Sequence, residues 1–363
     1  MVSRRNVAAC IPDAESVAQV WSCTGAEWLE QLTIDAPSIF SDRPVLLNIG
    51  ANKGYSAPHF LSLWSQHPNA TIKSWRDAIR DVARGKTAMS SEGGKPRRHG
   101  FLATQMCGAC GACRTKPPPP HLRDGGRVHL VEMTVANSKL LNHLAVATDL
   151  QQLITVHNVA VSNESGMIYS PQVKMGTEFA TAPPQVKMGT EFATAPPQVK
   201  MRTKFGDRYY DRVQLSTVDD LVTRYQLPRV IDVLTIDAEG HDPLVLEGMS
   251  AVLRDKRVTL LEFEYHSKGF WNTKHPNSRT LERSTSMLGD MGYRCYLEGP
   301  PSVYLPINQG CWRARFERHK WSNVFCTHDA RARAIIDARA WAGFDRRSDW
   351  PIGKTRATVT APK

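Results

Sequence analysis

The chain lacks the features that mark several common protein classes. No apolar run is long enough to cross a bilayer, and no apolar segment follows the basic patch near the start, so neither a transmembrane segment nor a secretory signal is expected. There is no G-x-x-x-x-G-K-[ST] phosphate loop and no G-x-G-x-x-G fingerprint, which disfavours a dinucleotide-dependent oxidoreductase. Neither a helix-turn-helix pattern nor an aromatic-basic array is present, so no nucleic-acid partner is expected.

Cysteine is also scarce, and this bears on the compartment. Eight cysteines in 363 residues are too few for a disulfide scaffold, and three of them are clustered. We therefore expect a reducing, cytoplasmic compartment. The hydrophobic content of 41% and the charged content of 22% are those of a globular protein. The formal net charge of +11 predicts a basic surface that attracts anionic partners.

The three clustered cysteines, Cys107, Cys110 and Cys113, have the spacing C-x-x-C-x-x-C. This spacing can place three thiolates around a structural zinc ion or an iron-sulfur cluster. A fourth ligand would come from elsewhere in the chain, the candidates being Cys10, Cys23, Cys311 and His121. The alternative is a flexible loop of small residues, since GACGAC is itself a short duplication. A metal here would brace its own loop and take no part in catalysis.

Pattern and composition divide the chain into three parts. Residues 1–40 are predicted to form a helical lead-in, residues 41–330 the main domain, and residues 331–363 a basic C-terminal extension. Within the main domain, residues from about 66 to 126 lose periodicity and contain four consecutive prolines. That composition indicates an insertion or a long loop.

A tandem repeat interrupts the main domain a second time. The 13-residue sequence PQVKMGTEFATAP begins at Pro171 and again at Pro184, and a degenerate copy starts at Pro197. Units this short cannot bury a core of their own, and a longer loop costs little entropy. We therefore expect an expanded surface loop over residues 171–205.

Elsewhere in the main domain, segments with strand character alternate with segments of helical periodicity. Such alternation predicts an α/β fold with a mostly parallel central sheet and helices on both faces. Two adjoining strands late in the chain, at residues 293–299 and 322–328, suit an antiparallel edge.

The apolar run Val45–Ile49 continues into a turn with glycines at Gly50 and Gly54. At the carboxyl end of a strand, glycine lets the backbone approach a ligand where a side chain would stand in the way. Glu132 ends the next strand, where a carboxylate can accept hydrogen bonds from both ribose hydroxyls of an adenosine group. The order of these features predicts a nucleotide-type cofactor. The alternatives are a tight strand-helix turn and a solvent-facing carboxylate.

A second apolar run, VIDVLTID, ends in a cluster of polar residues that includes Asp237, Glu239, His241 and Asp242. These residues follow a neighbouring strand of the predicted sheet, so we expect reactive groups beside the cofactor. Asp237 and Glu239, with Glu264 and His266 after the next strand, can also form an oxygen-rich site for a divalent metal.

These motifs resemble the FkbM-type S-adenosylmethionine-dependent methyltransferases. That family has a D-I-G-A-N-x-G-x-x-[ST] turn, a strand-end Glu and a late [IL]-D-x-E-G-x-[DE]-x-x-[VI]-L-x-G block. The corresponding residues here are Asn48 to Ser56, Glu132, and Ile236 to Gly248, in the same order. The resemblance departs at Asn48, where the family usually has Asp, and at Met133, where proline is usual.

The resemblance implies a Rossmann-like class I methyltransferase that binds S-adenosylmethionine and methylates a hydroxyl of a small-molecule, sugar or lipid-like acceptor. It implies cofactor-binding roles for the following residues: Asn48, Gly50, Ala51, Asn52, Gly54, Glu132 and Asp237. A hydroxyl must lose its proton to become a good nucleophile. We favour His241 or Asp237 as the proton acceptor and Glu239 as an orienting group. Loss of the Asp at position 48 leaves open a catalytically inactive binding or scaffold protein with the same fold.

Overall fold

The computed structural model describes residues 10, 27–84, 125–172, 186–187, 198–203, 206–272, 274–299, 303–317 and 321–345. The cysteine cluster at residues 107–113 and most of the proposed insertion lie outside the described residues, as does His121.

In the described part of the chain the strands are, in order, β1 (Val45–Ile49), β2 (Arg127–Val131), β3 (Ile154–His157), β4 (Val159–Val161), β5 (Gly166–Pro171), β6 (Val186–Lys187), β7 (Gln198–Thr203), β8 (Gly206–Ser216), β9 (Ile231–Ile236), β10 (Val258–Tyr265), β11 (Arg294–Gly299), β12 (Val303–Pro306) and β13 (Ser322–Thr327). The helices are α1 (Glu27–Asp35), α2 (Ser56–Trp64), α3 (Ile72–Ala83), α4 (Val135–Ala147), α5 (Val218–Arg224), α6 (Asp242–Glu247), α7 (Ser250–Arg254), α8 (Leu281–Asp290) and α9 (Ala330–Asp345). None of these helices is both long and apolar enough to span a bilayer.

The main sheet has the strand order β12-β11-β13-β10-β9-β1-β2-β3. Strands β3, β2, β1, β9 and β10 run parallel, whereas β13 is antiparallel to both β10 and β11. The predicted α/β fold with a mostly parallel sheet and an antiparallel edge is confirmed. The chain moves outward from β1 to β3 and then returns to place β9 on the other side of β1. Such a reversal makes the carboxyl ends of β1 and β9 the expected ligand site.

The central strands are apolar on both faces, as a sheet covered on both sides requires. All five residues of β1 are buried, and Leu47 and Val233 at the centre have no exposed surface. Asp232 in β9 is a fully buried carboxylate in this largely apolar layer. It accepts hydrogen bonds from the Ser41 and Val45 amides at 2.6 and 2.8 Å and from the Ser41 hydroxyl at 2.9 Å. These bonds fix the segment that leads into β1.

A smaller second sheet contains β4, β8, β5 and β6, with β7 paired to β8. Strands β6 and β7 come from the second and third copies of the tandem repeat. Val186 pairs with Tyr169 of β5, and Val199 pairs with Tyr210 of β8. The expectation that residues 171–205 form only a surface loop was wrong for these segments, because strand pairing stabilises the Q-V-K part of two copies.

Helix α3 lies within the range that was expected to be an irregular insertion, so that expectation was wrong for Ile72–Ala83. The Thr71 hydroxyl caps the helix by accepting from the Ser74 amide at 3.1 Å. Trp75 and Ile79, one turn apart on the same face, are fully buried. Capping and an apolar face together stabilise a helix of this length.

Two disulfides occur among the described residues. Cys10 is bonded to Cys311, and Cys295 of β11 is bonded to Cys326 of β13. The first bond corrects the sequence interpretation, because a disulfide-bonded sulfur is no longer a thiolate ligand for the zinc predicted at the cysteine cluster. The prediction of a reducing compartment stays a prediction, and disulfides are more usual in oxidising ones.

Candidate functional site

Residues that are far apart in sequence meet at the carboxyl ends of β1, β2 and β9. The Gly50 amide donates to the last carbonyl of β2 at 3.0 Å, and the Asp237 amide donates to the last carbonyl of β1 at 2.9 Å. The Asn52 amide donates to Oε2 of Glu132 at 2.9 Å. Gly50, Glu132 and Asp237 therefore share one edge of the sheet, at its topological switch point.

The two glycines of the turn are required for different structural reasons. Gly50 has a φ of +82°, and a Cβ there would lie 1.8 Å from the Asp237 carbonyl oxygen. The turn after β1 thus packs backbone against backbone with the loop after β9, which only glycine permits. Gly54 also has a positive φ of +70°, but a Cβ there would lie 2.5 Å from the Leu141 side chain. Gly54 serves the packing of the turn against α4. Ala51 between them is buried.

Two amide oxygens in this turn are buried without a hydrogen-bond partner. The Asn48 side chain donates through Nδ2 to the Thr235 hydroxyl at 2.6 Å, and its Oδ1 has no partner. Asn52, with a φ of +47°, likewise has an unpaired Oδ1. Buried polar atoms are rarely left unpaired in proteins. Both oxygens are therefore available to a donor group of a ligand.

The Glu132 carboxylate is buried and accepts several hydrogen bonds from neighbouring residues of the chain. Its Oε1 accepts from the Thr134 amide and hydroxyl, both at 2.8 Å, while Oε2 accepts from the Asn52 amide. Burial raises the pKa of Glu132, and these hydrogen bonds to the ionised form oppose that shift. The carboxylate ties the turn after β1 to the start of α4. A carboxylate has about four acceptor positions, so little of its capacity is left for ribose hydroxyls.

The late sequence block is organised by Asp242, the first residue of α6. Its carboxylate has no exposed surface and accepts from the Gly240 amide at 3.0 Å and the Ala238 amide at 3.3 Å. Burial, with Asp237 nearby, raises the pKa of Asp242 to about 7. The loop after β9 is therefore folded around this side chain. Sequence analysis placed Asp242 in the polar cluster but gave it no role of its own, although its place directly before Pro243 at a helix start was a usable signal.

The two glycines of this block are required by close backbone contacts. A Cβ on Gly240, whose φ is +94°, would lie 2.7 Å from the carbonyl oxygen of Lys268. A Cβ on Gly248 would lie 2.1 Å from the carbonyl oxygen of Ser162. Gly240 thus joins the loops after β9 and β10, and Gly248 joins the end of α6 to the loop after β4. These glycines therefore let neighbouring segments of the chain pack closely, and the late block also contributes side chains to the candidate site.

A cluster of acids faces the open end of β9 and β10. Asp237 is exposed and hydrogen-bonds to the side chain of Glu264. Glu264 also accepts from the indole N–H of Trp321, and its Oε2 lies 3.1 Å from Nε2 of His266. Burial and the nearby acids Asp242 and Glu239 raise the pKa of Glu264 to about 8. Burial thus favours the protonated form of Glu264 at neutral pH, whereas the hydrogen bond with Asp237 acts in the opposite direction and lowers its pKa.

Glu239 and His241, the other predicted catalytic residues, lie in the same loop with different partners. Glu239 has a φ of +51°, and its Oε2 is 3.3 Å from Nζ of Lys268. His241 precedes α6, and its ring packs edge-on against Phe270 with centroids 5.0 Å apart. Burial, with His275 nearby, lowers the pKa of His241, so its imidazole is neutral at pH 7. The structure thus pairs Asp237 with Glu264, and Glu239 with Lys268.

Among the described residues, no three side chains of His, Cys, Asp or Glu are grouped in a way that holds a metal ion. The alternative of a divalent metal at Asp237, Glu239, Glu264 and His266 therefore has no support. The zinc predicted at Cys107, Cys110 and Cys113 concerns residues outside the described ranges and stays a prediction.

Fold and site together define a class of protein. A sheet of this order, with a glycine turn after β1, an acid after β2 and an acidic loop after β9, is a Rossmann-like methyltransferase fold. A family model described as the methyltransferase FkbM domain matches residues 110–295, which is more than half of the chain. The chain belongs to this family. The matched range includes Glu132 and the late block, whereas the turn at Gly50 precedes it.

A similar solved structure is the methyltransferase FkbM from Methylobacillus flagellatus KT. The two chains are 11% identical, with a TM-score of 0.32, and the match covers 79% of this chain and 44% of that chain. This chain therefore matches less than half the length of that protein. No curated protein matches the sequence.

Proposed function

We propose that this chain is a methyltransferase that uses S-adenosylmethionine and methylates a hydroxyl oxygen of a small-molecule or glycan acceptor. The observation that carries the proposal is the meeting of the Gly50 turn, Glu132 and Asp237 at the switch point, beside buried amide oxygens with no partner. An unpaired acceptor beside a glycine turn fits a ligand that carries hydrogen-bond donors.

The residues present fit the cofactor in three respects. Oδ1 of Asn48 and Oδ1 of Asn52 can accept from its amino group. Glu132 is placed beside the same turn, with its last acceptor position available to a ribose hydroxyl. Asp237 adds negative charge that favours a cationic group. When bound, S-adenosylmethionine supplies a methyl group on a cationic sulfonium.

The chain's own contribution to the reaction is alignment and proton transfer. We assign proton acceptance from the acceptor hydroxyl to Asp237, because its carboxyl is exposed at the end of β9, at the edge of the sheet that also holds Gly50 and Glu132. The Asp237 carboxylate would take the proton of the acceptor hydroxyl, and the residues around it would hold the hydroxyl oxygen in line with the methyl group that the bound cofactor would supply. His241 is a weaker candidate because its ring packs against Phe270. Glu239, which pairs with Lys268, orients the loop.

Isothermal titration of the folded chain with S-adenosylmethionine tests the cofactor. We expect binding by the unaltered chain and loss of measurable binding in Gly50→Val, because the Cβ would meet the Asp237 carbonyl at 1.8 Å. Gly166→Ala is the matched control, since nothing lies within 4 Å of a Cβ at that position. Absence of binding by the folded, unaltered chain would refute the proposal.

Transfer of a labelled methyl group into separate pools of sugars, lipids and small hydroxylated molecules tests the acceptor class. The variants Asp237→Asn and His241→Gln are compared in the same assay across pH. We expect the Asn variant to lose most of kcat and the Gln variant to keep it. The reverse result assigns proton acceptance to His241, and label on nitrogen alone contradicts O-methylation.

A second candidate function is a binding or scaffold protein without catalytic activity. It is favoured by Glu132, whose carboxylate already accepts three hydrogen bonds from the chain, and by Asn48 and Met133, which depart from the family pattern. The two functions differ in one observable. Turnover of labelled methyl groups that Glu132→Ala abolishes rules out the scaffold function, whereas ligand binding without turnover supports it.

A further inference from the structure

A basic groove lies at the opposite end of the sheet from the candidate active site. It has a volume of about 750 Å³, and its lining residues come from the end of α7, the following loop and one face of α8: Arg254, Lys256, Arg283, Ser286, Met287, Asp290 and Met291. Lys256 lies two residues before the start of β10, whereas the site described above follows the carboxyl ends of the strands. Its volume is within the usual range of small-molecule sites, about 300–1,000 Å³.

The groove has more positive than negative charge. Arg254, Lys256 and Arg283 supply three cations against the single carboxylate of Asp290. None of the three cations forms an ion pair with a described residue; Arg254 donates only to the backbone and hydroxyl of Ser250. Cations with no carboxylate partner in a shared concavity raise the local concentration of anions. The net excess of two positive charges matches a dianion.

Lys256 is held in place for such a ligand. Its backbone has a φ of +56°, and its ammonium group lies 4.8 Å from the centroid of the Tyr293 ring. A Cβ on Gly292 would lie 2.9 Å from Nζ of Lys256, so the glycine leaves the space that the side chain occupies. Burial and the nearby Arg333 lower the pKa of Lys256, and a bound anion would relieve that crowding of positive charge.

The floor of the groove adds an apolar contact. Met287 and Met291 are one helical turn apart on α8, partly buried, and pack against the core. Their flexible thioether side chains adapt to an apolar group of varied shape. The Ser286 hydroxyl is on the same face of the helix and can donate a hydrogen bond.

We propose that this groove binds a phosphate monoester, with the dianionic phosphate between Arg254, Lys256 and Arg283 and the organic group on the two methionines. Arginine and lysine are the usual partners of phosphate oxygens in proteins. The same chemistry is available from a soluble phosphorylated metabolite and from the headgroup of phosphatidic acid. The groove is a second binding site, separate from the catalytic edge.

The first experiment titrates the full chain with inorganic phosphate at neutral pH and follows binding by calorimetry. We expect saturable binding that weakens as sodium chloride is added. The double variant Arg254→Gln with Arg283→Gln should lose affinity about tenfold or more, because each charge-assisted hydrogen bond contributes measurably. The matched control is Arg224→Gln with Arg229→Gln, which makes the same change in net charge at two exposed arginines outside the groove.

A gain-of-affinity variant separates the proposal from a folding defect. Asp290→Asn removes the only carboxylate that lines the groove and should tighten phosphate binding severalfold. Sedimentation with vesicles of phosphatidylcholine, with and without phosphatidic acid, then identifies the source of the phosphate. Binding only to vesicles that contain phosphatidic acid indicates a lipid headgroup, and phosphate binding without vesicle binding indicates a soluble ester. Absence of phosphate binding, or equal affinity in the groove variant and its control, overturns the proposal.

Discussion

The buried proton on Glu264 makes a prediction about how stability changes with pH. The pKa of Glu264 rises from an ordinary value of 4.5 to about 8 in the fold, because the carboxyl is buried beside other acids. Between these two values the folded chain binds a proton that the unfolded chain has released. The contribution of Glu264 to the free energy of unfolding must therefore fall as pH increases from about 4.5 to about 8. The full loss is at most about 5 kcal/mol, at 1.36 kcal/mol for each unit of pKa.

Urea unfolding of the chain at a series of pH values measures this loss directly. Asp242, whose pKa is raised to about 7, also lowers the free energy of unfolding as pH increases. Its contribution is complete about one pH unit below that of Glu264. In the variant Glu264→Gln the side chain at this position cannot ionise. The decline in its free energy of unfolding that remains, from Asp242, should end near pH 7 and be smaller than in the unaltered chain. Glu282→Gln, which changes an exposed acid of α8, is the control and should decline like the unaltered chain. Histidines with lowered pKa, such as His157, add a slope of the opposite sign in both chains, so the test is the difference between them. A slope between pH 5 and 8 that is the same in Glu264→Gln and in the unaltered chain would refute the reasoning.

Three other changes test the packing and the cofactor contact. Gly248→Ala should lose about 1 to 3 kcal/mol in urea unfolding, since its Cβ would lie 2.1 Å from the Ser162 carbonyl oxygen, whereas Gly166→Ala should be neutral. Asp232→Ala should lose about 3 kcal/mol or more in the same assay, because it leaves three donors at the start of β1 without their acceptor; a loss below about 1 kcal/mol would contradict this. Asn48→Asp should bind S-adenosylmethionine more tightly by about 1 kcal/mol in calorimetry, and weaker binding would show that this side chain does not contact a cationic group.

The central fold was predictable because its signals are local and repeated. Apolar runs such as Val45–Ile49 mark strands that are covered on both faces, and the turn that follows β1 has a physical need for Gly50. The glycines of the late block were equally informative, since Gly240 and Gly248 each occupy a position where a Cβ would meet a carbonyl oxygen. A sequence pattern that reflects a steric requirement can therefore be recognised without knowledge of the tertiary structure.

The strands of the tandem repeat were not predictable in this way. Identical Q-V-K segments lie in each copy, and whether one becomes a strand depends on a partner such as β5 or β8 that is distant in sequence. Strand formation depends on that context more than on propensity. Helix α3 was a different failure, since Trp75, Ile79 and Val82 have helical spacing and Thr71 is a usable cap. The proline-rich residues further along the same range concealed that signal.

The division of roles in the acidic cluster also depends on distances that a sequence does not contain. Asp237 and Glu264 follow or end different strands, and only the parallel pairing of β9 with β10 places them within hydrogen-bonding reach. For Glu132 the position in the fold could be predicted from the sequence, but its hydrogen-bond partners could not. Its three hydrogen bonds to Asn52 and Thr134 depend on how the turn and α4 approach it.

The position of β13 has a consequence for how the chain is made. Strands β11 and β12 reach the main sheet only through β13, although both are synthesised before it. While the nascent chain leaves the ribosome, the edge of β10 stays open and the earlier pair has no place to dock until residues 322–327 emerge. An exposed apolar strand edge invites association with other chains. Production of this protein should therefore depend on protection by a chaperone during the last part of translation.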